Sequence, residues 1–184
     1  MSANSTIFNK QNYLNHENQV DNKEEIITNL LDYFKNNKEF IEQKGFTQEE
    51  KSHFLDVKHI IRNLNSILLF SLMLTSMLLI NIFSETKKNR LIKLTFTYLI
   101  IGSSITILMV IITFLLSLNF NYLFNLFHST LFNPGTWTFP ITSLSIQLFP
   151  IELFQEFANI ILTKIVFVSF ILIICGIIYR NFFD

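Results

Sequence analysis

The chain has 184 residues, half of them hydrophobic and 21 of them Phe, with 14 basic and 14 acidic side chains and a mean hydropathy of +0.40. That composition is too apolar for a soluble domain of this length, and balanced charge with no basic stripe excludes a nucleic-acid partner. A lone cysteine, Cys175, excludes an intramolecular disulfide.

The first 62 residues are polar and rich in Asn, Lys and Glu, without the basic n-region and apolar h-region of a signal peptide. Asp21 and Glu24 have capping-box spacing. Ile26, Ile27, Leu30, Leu31 and Phe34 then form the apolar stripe of an amphipathic helix ending near Asn36 and Asn37. Such a stripe either packs on a neighbouring element or rests on a membrane surface. Thr47 with Glu50 marks a second helix start, and the absence of Pro and Gly from 47 to 83 predicts one continuous helix entering the first apolar run. On it His53, Asp56, Ile60 and Asn63 share a face, and Asp56 also lies one turn before His59. A carboxylate one turn away can fix a histidine tautomer for general-base work, although solvated helix faces carry the same spacing. His16, in the polar tail, has no such context.

Three apolar runs, at about 63–83, 94–118 and 160–179, approach or exceed the ~20 residues a helix needs to cross a bilayer. Lys164 is the only formal charge within them and is close enough to an end to snorkel. Lipid leaves backbone amides no partner but the helix itself, so the fold expected is an all-α polytopic membrane protein with three transmembrane helices. The loop at 84–93 carries Lys87, Lys88, Arg90 and Lys93 against Glu85, whereas 120–159 has no Lys or Arg. By the positive-inside rule the loop and the C-terminus, with Arg180, are cytoplasmic. The N-terminal region and the 120–159 segment, and with them His53 and His128, are then extracytoplasmic. This divides the chain into an extracytoplasmic segment at 1–46 and a membrane domain at 47–184. Export of a polar N-terminal segment without a signal peptide predicts a fourth transmembrane helix before Met1, the alternative being unaided insertion with the N-terminus outside.

The outer segment at 120–159 holds eight Phe, Tyr122 and Trp137, with Glu152 and Glu156 its only charges, a composition suited to the membrane interface. Leu123, Phe124, Phe127, His128 and Leu131 form one helical stripe. A histidine so placed is a candidate catalyst, but the commoner role is a hydrogen-bonded core residue. Asn133-Pro134-Gly135 reads as a tight turn, and Pro150 with Glu152 suits the first turn of the last helix. Neither a His-x3-His or Cys-x-x-Cys pair, a phosphate-cradling loop nor a Gly-x-Ser-x-Gly elbow is present, so no metal and no cofactor is expected.

The run Glu49-Glu50-Lys51-Ser52-His53-Phe54-Leu55-Asp56-Val57-Lys58 resembles a motif of small bacterial and archaeal integral membrane proteins, in which an acidic residue precedes His-Met/Phe-x-Asp-Val-Lys. Phe127-His128, Phe132, Gly135, Trp137, Pro140, Gln147-Leu148-Phe149-Pro150 and Phe154 resemble the segment before that family's last helix. Its best-understood members are the lipoprotein intramolecular transacylases, four-helix enzymes of the cytoplasmic membrane. The resemblance runs from about Tyr13 onward. It implies transfer of an acyl chain from the glyceryl group of a lipoprotein's N-terminal cysteine to that cysteine's α-amine, with the bilayer and a lipoprotein as partners. His53 and His128 match the motif histidines. On this reading His128 is the base and His53, oriented by Asp56, its partner, with the reverse assignment also open. Trp137 belongs to the segment that receives acyl chains. Ser143 departs from the pattern, standing where many relatives have an acidic or amide residue. Two other readings stand beside this one, an enzyme of the same fold acting on another membrane lipid and a non-catalytic multi-pass subunit.

Overall fold

Helices carry all the regular structure in a computed structural model of the protein, which describes residues 6–15, 20–36, 44–84 and 88–183. They are α1 (Gln11–Leu14), α2 (Lys23–Lys35), α3 (Gln48–Ser84), α4 (Lys88–Ser117), α5 (Phe120–Leu131), α6 (Leu144–Leu148) and α7 (Ile151–Phe183). His16, Asn37 and the loop residues Glu85 and Lys87 lie outside the described residues.

Three helices, α3, α4 and α7, are long and apolar enough to cross a membrane. The 37-residue α3 is ~55 Å long at ~1.5 Å per residue, nearly twice the ~30 Å hydrocarbon core. Its apolar part, from about Leu64, therefore spans, and its polar first turns do not. Large apolar side chains such as Phe70, Met73, Phe114 and Phe167 are exposed on these helices, a surface that suits lipid rather than water. Hydroxyls within the apolar runs bond back to their own helix, as Ser71 does to the Ile67 carbonyl (2.8 Å), Thr75 to Ser71 (2.8 Å) and Thr113 to Met109 (2.9 Å). This satisfies each polar group without water.

The chain forms two compact units, one of Met1–Asn63 with Asn119–Ile161 and one of Leu64–Leu118 with Leu162–Asp184. The outer segment at 120–159 shares the first unit with the N-terminal region. In the second unit α4 and α7 approach closely at Gly176, where an added Cβ would lie 2.6 Å from Ile100 Cγ1 and 3.3 Å from the Phe96 carbonyl oxygen. Nearby the Phe96 and Tyr179 rings stack at 4.0 Å. Without a hydrophobic drive between helices in lipid, small residues that permit such contact decide the association.

The first unit has the larger buried core. Ile26, Ile27, Leu30 and Leu31 of α2 are buried together with Tyr13, Phe46, Phe54, Leu148, Leu153 and Phe157. Of the two placements open to the α2 stripe, packing within the protein is the one adopted. Each such side chain contributes roughly 1.5–3 kcal/mol on burial. The start of α2 differs from the expected capping box. Its N-cap is Asn22, in the left-handed region at φ 56° with no side-chain cap bond, and Glu24 instead pairs with Lys10 at 2.8 Å. Lys58 of α3 is buried (1% exposed) with its ammonium 3.8 Å from the centre of the Tyr33 ring, so the motif lysine ties α3 to α2.

The start of α3 follows its sequence signal. Thr47 Oγ1 accepts from the Glu50 amide (3.2 Å) and Glu50 Oε2 accepts from the Thr47 amide (2.7 Å), a reciprocal capping box. The other Glu50 oxygen accepts from the Ser145 amide (2.8 Å) and the Ser145 hydroxyl, 95 residues away. Glu50 is 1% exposed. One buried carboxylate thus joins the first turn of α3 to the first turn of α6, and both helix N-termini favour its charge.

Two outcomes follow for stability. Gly176→Leu should sharply reduce the yield of folded, monodisperse protein, whereas Cys175→Ala, at an exposed neighbouring position, should leave it unchanged. In a double-mutant cycle, Glu50→Gln and Ser145→Ala should each cost about 1–3 kcal/mol and couple by more than about 0.5 kcal/mol, measured by reversible denaturation in detergent.

Candidate functional site

His53 lies three residues after Glu50 on α3, so the capping box and the Ser145 link set its position from the first turn. It is 9% exposed, and its ring is enclosed by Phe132 (centroids 4.6 Å), Phe139 (5.6 Å) and Phe54 (6.4 Å). Its Nδ1 is buried without a hydrogen-bond partner.

His128 is on α5, the amphipathic helix whose first turn is capped by the Asn119 side chain accepting from the Tyr122 amide (3.2 Å). It is 8% exposed among Phe124 (4.0 Å), Trp137 (4.9 Å), Phe132 (5.3 Å) and Phe127 (5.4 Å). Its Nδ1 lies 2.8 Å from the Phe124 carbonyl oxygen. A carbonyl only accepts, so Nδ1 carries the proton and, in the neutral ring, the lone pair is on Nε2. Burial among the rings holds the His128 pKa below its ordinary value of 6.5, opposed in part by the bond to Phe124. The tautomer is therefore chosen by backbone, and the neutral form by burial.

The two imidazoles face each other with centroids 6.1 Å apart and planes 26° from parallel. Two protonated rings at this separation and burial would repel strongly, so the arrangement holds at most one charge. A pair of this kind can remove a proton at one ring and offer a donor at the other.

The remaining expected site residues fall into two groups. Trp137 is packed against His128, and its Nε1, like Ser143 Oγ, is buried without a hydrogen-bond partner. Ser143 lies two residues before Ser145, which is bonded to Glu50. Asp56 is half-buried on α3, but no hydrogen bond joins it to His53, whose Nδ1 is unpartnered. The orientation of His53 comes instead from the aromatic rings around it. His59 is exposed. Among the described residues no group of three His, Cys, Asp or Glu side chains is placed to hold a metal ion.

Three contributions escaped the sequence reading, those of Glu50, Ser145 and Phe139. Glu50 is legible as a helix cap, but its second oxygen bonds Ser145 across 95 residues, and no local spacing signals that pairing. Phe139 has no periodic partner in sequence, since it follows the Asn133-Pro134-Gly135 turn. That turn itself forms as expected, with Gly135 at φ 83° and the Thr136 amide donating to the Asn133 carbonyl at 3.2 Å.

Comparison with known proteins gives two matches. The family described as "Lipoprotein intramolecular transacylase Lit" matches residues 2–154. The fold is similar to that of the membrane integral lipoprotein intramolecular transacylase Lit from Bacillus cereus, with a TM-score of 0.75 and 23% sequence identity over 97% of this chain and 85% of that one. No curated protein matches the chain.

The indole of Trp137 is the only one in the chain and lies against His128, so its fluorescence reports the charge of that ring, which quenches when protonated. Because burial resists protonation in the folded state, the midpoint of quenching should lie below pH 6.5, and the quenching should disappear in His128→Gln. The unfolded chain binds the proton more readily, so His128 should contribute a loss of stability as pH falls below 6.5, and none above it.

Proposed function

The chain belongs to the lipoprotein intramolecular transacylase family, and from that membership we propose that it moves an acyl chain from the glyceryl group of a lipoprotein's N-terminal cysteine to the α-amine of the same cysteine. The observation that carries this reading is the His128 ring, whose Nδ1–H is committed to the Phe124 carbonyl and whose Nε2 is left as a base beside His53.

The ester and the amine are attached to one cysteine, so the enzyme has mainly to orient them and exclude water. The aromatic rings around both histidines supply that dry enclosure. His128 Nε2 takes a proton as the amine nitrogen attacks the ester carbonyl carbon. The carbonyl π pair moves onto oxygen, and the resulting tetrahedral oxyanion accepts a hydrogen bond from His53. Collapse of the intermediate breaks the bond to the glyceryl oxygen, which leaves with the proton held by His128. The products are an amide and a free glyceryl hydroxyl, and no co-substrate is consumed. General-base transfer of this type contributes about 10²- to 10⁴-fold, and a donor aimed at the oxyanion is of similar weight.

The distribution of Lys and Arg supports an extracytoplasmic site and a cytoplasmic C-terminus. On that face a lipoprotein with its glyceryl ester in the outer leaflet meets the interfacial aromatic segment directly. Ser143, near the Glu50 link, is a supporting polar group, and Asp56 influences His53 through charge rather than a bond.

The test is mass spectrometry of lipoprotein N-termini from a host without its own N-acylating enzymes. Wild type should place an acyl group on the cysteine amine, and His53→Ala and His128→Ala should each lower that product at least about 100-fold at equal membrane levels. Full product from either variant would remove the histidine pair from the mechanism.

A further inference from the structure

Among the described residues, three buried side-chain atoms have no hydrogen-bond partner: His53 Nδ1, Trp137 Nε1 and Ser143 Oγ. The indole Nε1 differs from the others in its chemistry. A hydroxyl can rotate toward a partner and an imidazole nitrogen can be either donor or acceptor, but an indole N–H only donates. Burying such a donor unpaired is unfavourable. The other rings packed on the two histidines include Phe124, Phe127, Phe132 and Phe139, and the chain has 21 Phe against one Trp. Phenylalanine at 137 would fill much of the same space without stranding an N–H. The one position with an indole is packed at 4.9 Å against the histidine whose Nδ1 is bonded to the Phe124 carbonyl and whose Nε2 is left as the base.

Resting on the transacylase reading of this site, we infer that Trp137 is a catalytic residue, its Nε1–H donating to the ester carbonyl oxygen and, more strongly, to the oxyanion that develops there. The reaction creates one negative charge, on an oxygen bonded to the carbon that the amine attacks, and the amine is held at His128 Nε2. A donor on a ring touching His128 is therefore close to where that charge forms. His53 approaches the same ring at 6.1 Å, so Trp137 and His53 make a two-donor oxyanion hole with His128 as the base. No other co-reactant is involved, and the proton balance of the transfer is unchanged.

The single tryptophan makes the test clean. Biosynthetic replacement of tryptophan by β-(3-benzothienyl)alanine alters position 137 alone, exchanging the N–H for sulfur at nearly constant shape, whereas 4-fluorotryptophan retains the N–H. Each purified protein is assayed in bilayers with a synthetic lipopeptide bearing an acylated glyceryl group on its N-terminal cysteine, with rates taken per monodisperse molecule. The benzothienyl protein should lose about 10²- to 10³-fold in the saturated rate constant. Its half-saturation should change less than threefold and its acid limb should stay in place, since the His128–Phe124 bond is intact. The 4-fluorotryptophan protein should remain within about threefold of the parent. Trp137→Phe should match the benzothienyl protein. A benzothienyl or Phe variant turning over within threefold of the parent would overturn the inference. Failure of the unsubstituted protein to transfer acyl chains would instead count against the transacylase reading itself.

Discussion

A single buried carboxylate holds the candidate site together. Glu50 closes the first turn of α3 with one oxygen and grips Ser145 at the start of α6 with the other. Its directional bonds tie two segments 95 residues apart in a way that apolar contacts alone, which fix proximity but not register, do not. An anion buried to 1% exposure is costly unless every lone pair is occupied. Here the donors are two backbone amides at helix N-termini and a hydroxyl, so the charge is met by aligned dipoles. One turn further along the same helix, His53 inherits that rigidity.

The chemistry of the pair is set by unlike surroundings of like side chains. His128 has its proton assigned by the Phe124 carbonyl, which leaves a lone pair on the far nitrogen. His53 has no bond at Nδ1 and is held by rings alone. An aromatic enclosure lowers the local dielectric and strengthens every hydrogen bond made inside it. The same enclosure disfavours charge on both rings. The difference between the two rings, one with its Nδ1 bonded and one without, arises from a helix carbonyl and from packing rather than from a carboxylate partner, and the proposed division into base and donor rests on it.

Features with local causes were legible in the sequence. The apolar runs announced the spans because lipid permits few alternatives to a helix. Thr47 with Glu50 announced the start of α3, and Asn133-Pro134-Gly135 its turn. The Asp21 and Glu24 spacing is equally correct on paper, yet Asn22 takes the left-handed conformation and Glu24 reaches Lys10 instead. A cap signal thus succeeds where tertiary packing agrees with it. Asp56 shows the limit of face arguments, because sharing a helix face with His53 does not bring a carboxylate within bonding distance of its ring. The pairing of His53 with His128, 75 residues apart, was suggested by the charge-derived topology, which puts both on one side of the membrane, and by resemblance. Spacing within each helix carries no information on it. The Glu50 to Ser145 link was not suggested at all, being a contact between a cap and a five-residue helix with no periodic signal.

The central claim is that His128 presents an unprotonated Nε2. Solid-state ¹⁵N NMR of ring-labelled protein in bilayers at pH 7.5, with the His128 resonances identified by their loss in His128→Gln, measures this directly. The account predicts a neutral ring with a protonated Nδ1 and a bare Nε2. A proton on Nε2, whether in the other tautomer or in an imidazolium, would contradict it.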